Sequence, residues 1–240
     1  MEWRVSRYTD AMASGAAGKQ FKNPGIRQTP PVRAQLAYER LVAVIQAGQL
    51  TSGTRVREAD VAEWLNISRT PVREALRRLE AEGMLSHLPH VGVVVTEIDA
   101  DMVTELYAMR EVLEGSAAGL AAQHASGAEF HMLQQIVIGE KALLHDPDLL
   151  MLHNREFHDI LYRSAHNRYL LKALNSLHDS MVLLGKTTLS SRTRANTSHA
   201  EHTAIVKAII ARDRALAEEL MRAHIRGAYQ ERLNMLFMTR

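Results

Sequence analysis

Four side chains in the C-terminal half have the types and spacing to hold a metal ion. Asn154 and His158 stand four residues apart, about one helical turn, and so project from one face, while His202 and His224 each fall on a later helical segment. Neutral imidazole is the commonest nitrogen ligand of transition metals, and helix bundles assemble such sites from side chains on facing helices. Three imidazoles and one amide oxygen can therefore converge on a divalent ion. The chain has 12 histidines, so spacing leaves a second reading open, in which these are surface or hydrogen-bonded core residues. Metal-dependent hydrolysis or isomerisation is the enzymatic alternative. The sequence offers it no HExxH, nucleophile elbow, phosphate-binding glycine loop, cysteine nucleophile or convincing general base, and no enzymatic activity is expected.

These residues need a frame to position them. From Asp99 onward strand signals vanish and helical periodicity takes over, in segments of about 100–124, 127–144, 147–165, 167–189, 198–211 and 213–237, punctuated by Gly127, Pro147, Asn167 and Asp213. Six amphipathic helices with short connections predict an antiparallel bundle over residues 100–240. His153 and His199 flank the proposed ligands and are expected at the surface. Leu220, Met221, Leu233, Met235 and Leu236 are expected to supply core or dimer surface.

A second chemistry belongs to the stretch Asn66 to Glu80. Ser68 is a good helix N-cap, Pro71 lies early enough to remove only an unpaired donor, and at 100° per residue Val72, Ala75, Leu76 and Leu79 share one face. Arg69, Thr70, Arg73 and Arg77 group on another. Upstream, Glu58 to Leu65 forms a short helix joined through Asn66-Ile67-Ser68, and Ala34 to Ala47 forms one before it, closed by Gly48. After Gly83, the β-prone runs Met84–Leu88 and Val93–Glu97 flank Pro89-His90-Val91-Gly92. The order of three helices and a hairpin describes a winged helix-turn-helix over residues 33–99, with a face able to enter a DNA groove. The competing reading is a solvated face in which Arg73 and Arg77 pair with Glu74 and Glu80.

Composition bounds the remainder. The 240 residues, 46% of them hydrophobic, suffice for two packed domains, and the fold class is mainly α. With no cysteine, no run of about 18 apolar residues and no signal-peptide pattern, the expectation is a cytoplasmic protein without disulfides or membrane association. A formal charge of +2 and a pI near 9.0 argue against unspecific coating of nucleic acid and for local docking. Residues 1–32, with Ala-Ser-Gly-Ala-Ala-Gly and Pro30-Pro31, read as a mobile arm.

Over residues 34–99, the runs Arg57-Glu58-Ala59-Asp60-Val61-Ala62, Ser68-Arg69-Thr70-Pro71-Val72-Arg73-Glu74-Ala75-Leu76 and Leu79-Glu80-Ala81-Glu82-Gly83 resemble the winged-helix domain of GntR-family bacterial transcription regulators. Over 100–235, Phe157-His158, Glu201-His202 and Met221-Arg222-Ala223-His224 resemble the FCD effector domain of that family's FadR branch. The resemblance implies a homodimeric, ligand-responsive repressor of a pseudo-palindromic operator. Arg57, Ser68, Arg69, Thr70 and Arg73 would contact double-stranded operator DNA, and Gly92 would approach the minor groove. It further implies that His158, His202 and His224 hold a divalent transition metal, such as zinc or nickel, beside a small carboxylate effector. Asn154 stands where many members carry an aspartate; its amide oxygen can coordinate with less charge or hydrogen-bond the effector. Arg110 matches an arginine that often faces the ligand cavity, the alternative being a surface ion pair with Glu114 at i+4. An architectural DNA-binding dimer, with structural histidines, is the remaining alternative.

Overall fold

The computed structural model describes residues 30–185 and 187–238, which form two compact units dividing between Glu97 and Ile98. The expected arm therefore lies outside the described residues except for its last three, which belong to a helix. That helix, α1 (Pro30–Gln46), begins four residues before Ala34, because a proline in the first turn removes only a donor that has no partner there.

In the first unit, α2 (Glu58–Leu65) leads into α3 (Arg69–Ala81) through a turn in which Asn66 takes the left-handed conformation, φ 52° and ψ 47°. Asparagine tolerates that region, and the reversal is short enough to set two helices against each other. The side of α3 formed by Val72, Ala75, Leu76 and Leu79 is buried, as the 100° periodicity predicts, and α1 packs against it. Ser68 occupies the N-cap position but its exposed hydroxyl makes no capping hydrogen bond, a departure from expectation. Strands β1 (Leu85–Leu88) and β2 (Gly92–Val95) pair antiparallel, Leu85 opposite Val95 and Leu88 opposite Gly92. The hairpin is shorter than expected at its outer ends. It also gains an unforeseen partner, as Arg55 bridges to Val94 and the Val56 N–H donates to the Val93 carbonyl at 2.8 Å.

The second unit is wholly helical among its described residues: α4 (Ala100–His124), α5 (Gly127–Leu143), α6 (Pro147–Ser164), α7 (Arg168–Met181), α8 (Arg192–Ile210) and α9 (Arg214–Met238), with 3-10 turns at Val182–Leu184 and Thr188–Ser190. Helix α4 packs against α6, α7, α8 and α9. Its seam with α9 is built from small residues: a Cβ added at Gly115 would sit 2.7 Å from Arg222 Cγ, and one at Gly119 would sit 3.2 Å from Glu218. Buried Phe157, Leu161, Ile205, Ile209, Met221 and Ile225 fill the core between α6, α8 and α9.

Two helix limits differ from the sequence reading. The segment expected to run to 189 stops at Met181 and passes through 3-10 turns around Gly185, whose φ is +68°. Helix α8 starts at Arg192 rather than 198, since Ser191 caps it by accepting from the Arg194 N–H. At the start of α5, Ser126 Oγ accepts from the Glu129 N–H and Glu129 Oε2 accepts from the Ser126 N–H, a reciprocal capping box. Ser126→Ala should cost about 1 kcal/mol, read as a fall of about 2–4 °C in the thermal midpoint; an unchanged midpoint would show the box to be dispensable.

Candidate metal centre and nucleic-acid interface

Helices α6, α8 and α9 each place one histidine in the same buried space. His158, His202 and His224 are 6%, 1% and 3% exposed, and one ring nitrogen from each lies within 4.8 Å of the others. Each ring has a carboxylate beside its Nδ1, hydrogen-bonded at His202 and His224 and merely in close contact at His158, where Glu114 Oε2 is left without a hydrogen bond among the described residues. His202 Nδ1 lies 2.6 Å from Glu140 Oε1, His224 Nδ1 lies 2.7 Å from Glu201 Oε2, and His158 Nδ1 lies 2.9 Å from Glu114 Oε2. A carboxylate at Nδ1 draws the proton of a neutral imidazole there and frees Nε2 to coordinate, although His224 Nδ1 also lies 3.2 Å from Arg194 Nη2, which can only donate to it.

The ring chemistry sharpens that assignment. Burial lowers the pKa of His202 despite Glu140 beside it, and burial with the neighbouring His202 and His158 rings lowers that of His224 well below the ordinary histidine value. Both rings are therefore neutral, yet His202 Nε2 and His224 Nε2 stand 3.4 Å apart, with only Ser198 Oγ, 3.5 Å from His202 Nε2, as a weak donor. A proton on one of the two Nε2 atoms, or a cation between them, relieves the repulsion of facing lone pairs. Nitrogens bound tetrahedrally to one ion at bond lengths of about 2.0–2.1 Å would be about 3.3 Å apart. The donor set thus fits a divalent transition metal.

The other sequence-predicted site residues fall as follows. Asn154 is half-buried one turn before His158 on α6, with no hydrogen bond from its side chain among the described residues. Arg110 is not on the surface: it is 6% exposed, and its Nε donates to Glu114 Oε1 at 2.7 Å. Burial alone would raise the Glu114 carboxyl, but the charge of Arg110 leads the contributions that outweigh it and hold the pKa at about 2. Arg110, Glu114 and His158 therefore form one buried chain, beside which the Tyr162 hydroxyl lies 3.4 Å from His158 Nδ1. Tyr162 also lines an open groove of about 340 Å³ with Arg163, His166, Asn167, Arg168 and Leu171.

His153 and His199, expected at the surface, are half-buried. His153 Nε2 lies 2.7 Å from the Ile136 carbonyl, packed over Gly139, and His199 shares Glu140 with His202 at 3.1 Å. Neighbouring helices supply carbonyl and carboxylate acceptors that are invisible along the chain.

In the first unit, Arg69, Thr70 and Arg73 are exposed on α3 and Arg57 is exposed at the N-cap of α2. Arg73 makes a two-pronged ion pair, both contacts 2.7 Å, with Glu58 of α2 rather than with Glu74 or Glu80. The hydrogen bond from Arg73 holds the Glu58 carboxyl below its ordinary pKa. Gly92 has φ +97°, a region in which a side chain is strained.

Residues 33–95 match the family described as bacterial regulatory proteins, gntR family, and residues 105–227 match the FCD domain. The chain belongs to the GntR family. Among curated GntR relatives, the HTH-type transcriptional regulator YdhC of Bacillus subtilis is 30% identical over 78% of this chain and 85% of its own length. The Nta operon transcriptional regulator of Aminobacter aminovorans is 30% identical over 77% and 87%, and the probable D-xylose utilization operon transcriptional repressor of Paenarthrobacter nicotinovorans 32% over 83% and 88%. The fold is that of E. coli McbR/YncC, at TM-score 0.71 and 22% identity over 86% of this chain and 98% of that one. It is shared with a putative GntR regulator of Rhodococcus sp. RHA1, at 0.67 and 21% over 85% and 98%. The curated relatives are named as transcriptional regulators, and the matched family makes this chain one of them rather than an enzyme.

Within this GntR chain, sequence reasoning missed Arg194. It is 6% exposed, Nη1 donates to Glu201 Oε2 at 2.6 Å and Nη2 donates to the His224 carbonyl at 3.2 Å, while Nε is buried with no partner among the described residues. Burial raises the Glu201 carboxyl, an effect that Arg194 opposes. No apolar period marks residues 192–197, so the helix was expected only from 198. Removing one partner of a buried pair strands the other charge. Arg110→Ala should accordingly destabilise the protein by about 3–5 kcal/mol in urea titration; a loss below about 1 kcal/mol, the range of surface pairs, would show Glu114 to be solvated instead.

Proposed function

We propose that this GntR regulator is a homodimeric repressor of a pseudo-palindromic operator, with a small carboxylate as effector and a divalent transition metal in the helical unit. The observation that carries the metal reading is the convergence of three histidines whose Nδ1 atoms each lie beside a carboxylate. His158, His202 and His224 would be the nitrogen ligands, and Asn154, on the same face of α6 as His158, would offer a neutral oxygen. The metal, when bound, supplies open positions for carboxylate oxygens. Arg110 would take the effector's charge: its Nε is committed to Glu114 and its guanidinium lies over the Tyr107 ring, but its outer nitrogens make no hydrogen bond among the described residues. Zinc and nickel both suit imidazole donors.

At the DNA, Arg69, Thr70 and Arg73 would meet base edges and phosphates from α3, with Arg57 adding a contact from the start of α2. The unused hydroxyl of Ser68 and the first-turn N–H groups of α3 would face a phosphate. Gly92 would bring the wing backbone close to the minor groove. Exposed Met102, Met109 and Val112 share a face of α4 and offer apolar surface for a second copy. No helix among the described residues is long and apolar enough to cross a membrane, in keeping with action on DNA in the cytoplasm. The effector would act by binding one arrangement of the dimer better than another, the requirement for any allosteric coupling. The Paenarthrobacter relative is itself named a probable operon repressor, which supports repression as the mode.

Two measurements test this. Elemental analysis and calorimetric titration with zinc or nickel should find one ion per chain, and the double variant His202→Ala with His224→Ala should lose it; full occupancy in the variant would place the metal elsewhere. In gel-shift assays at matched salt with upstream DNA of the gene's own operon, Arg69→Ala should weaken binding about tenfold or more, since a bidentate base contact is worth about 1–3 kcal/mol. Wild-type affinity in that variant would remove α3 as the reading helix.

A further inference from the structure

We propose that Arg55 is a DNA-contacting residue carried by the wing, clamping a backbone phosphate next to the groove that Gly92 faces; this rests on the DNA-binding reading above. Arg55 belongs to neither helix-turn-helix helix nor the hairpin. The short run around it is nevertheless part of the wing sheet. Arg55 bridges to Val94, the Gly53 N–H donates to the Val95 carbonyl at 2.9 Å, the Val95 N–H donates to the Thr54 carbonyl at 2.9 Å, and the Val56 N–H donates to Val93 at 2.8 Å. The Arg55 backbone is fixed on the open edge of β2.

In an antiparallel pair, a residue opposite Val94 has Gly92 as its diagonal neighbour on the same face. The missing side chain at 92 leaves that place to the guanidinium. Arg55 Nε and Nη2 each lie 3.6 Å from where a Gly92 Cβ would be. Burial alternates from exposed Arg55 through buried Val56 to exposed Arg57, so the two arginines lie on one side of the extended run, away from the core. Arg55 makes no hydrogen bond or ion pair among the described residues. Glu97 Oε1 sits by Gly53, one pleat away, without pairing to it. Arg73, by contrast, is held by Glu58. An exposed cation with an anchored backbone, lying on the glycine of the wing and matched by no carboxylate, is a counter-charge for phosphate.

A phosphate contact is independent of base sequence and shows itself in salt dependence. Fluorescence anisotropy with labelled 30-bp duplexes tiling the upstream DNA of the gene's own operon, over a potassium chloride series, compares wild type, Arg55→Ala, Arg55→Lys and Arg69→Ala. Arg55→Ala should bind about tenfold more weakly at low salt, with the log–log salt slope smaller by about 0.9. Arg55→Lys should restore both, because a point charge satisfies a phosphate. Wild-type affinity and slope in Arg55→Ala would overturn the proposal, as would failure of lysine to rescue a variant with wild-type circular dichroism. Loss in Arg69→Ala alone sinks only the role of Arg55, whereas absence of binding by the wild-type chain sinks the DNA reading itself.

Discussion

The helical unit depends on carboxylates placed out of reach of water. Glu114 and Glu140 are each 1% exposed, and a buried carboxylate is tolerable only when donors and cations surround it. Arg110 and His158 serve Glu114, His202 and His199 serve Glu140, and half-buried Glu201 has Arg194 and His224. The same carboxylates stand beside the three ring Nδ1 atoms, so charge balance in the core and the orientation of the imidazoles are coupled.

That arrangement also ties the helices together. Glu140 comes from α5, His199 and His202 from successive turns of α8, and Glu201 joins α8 to α9 through His224. Aromatic packing adds to it, with the Phe157 ring stacked on His202 at 4.0 Å between centroids. The close seam of Gly115 and Gly119 against α9 lets His224 reach the same space as His158 and His202. A looser α4–α9 contact would hold the third nitrogen away.

Much of this was legible in the amino-acid order, and the failures have physical reasons. The buried face of α3 followed from Val72, Ala75, Leu76 and Leu79 at helical spacing, since burial and periodicity are the same constraint. The four-residue step from Asn154 to His158 placed both on one face of α6. What spacing cannot carry is pairing between distant segments: Glu140 lies 62 residues from His202 and Glu201 23 from His224. Arg194 was hidden because the first turns of α8, rich in serine, threonine and arginine, have no apolar stripe, and a helix held by a serine cap and buried ion pairs leaves no period to read. Ser68 shows the converse: the right residue in the right position without the hydrogen bond, because a hydroxyl rotamer is not a property of sequence.

The fork between Arg73 and Glu58 bears on discrimination between duplexes. A long cationic side chain carries much rotamer freedom, and here the pair with Glu58 restricts it before any encounter. Both oxygens of Glu58 are already in hydrogen-bonding range of the guanidinium. A groove that takes up Arg73 must offer acceptors good enough to share or displace that carboxylate, so glancing encounters with poorly aligned acceptors gain little from it. If Arg73 reads a groove as proposed, the resting pair would work as a threshold, lowering the attraction of arbitrary DNA more than that of a site whose acceptors meet the guanidinium in the plane in which it is already held.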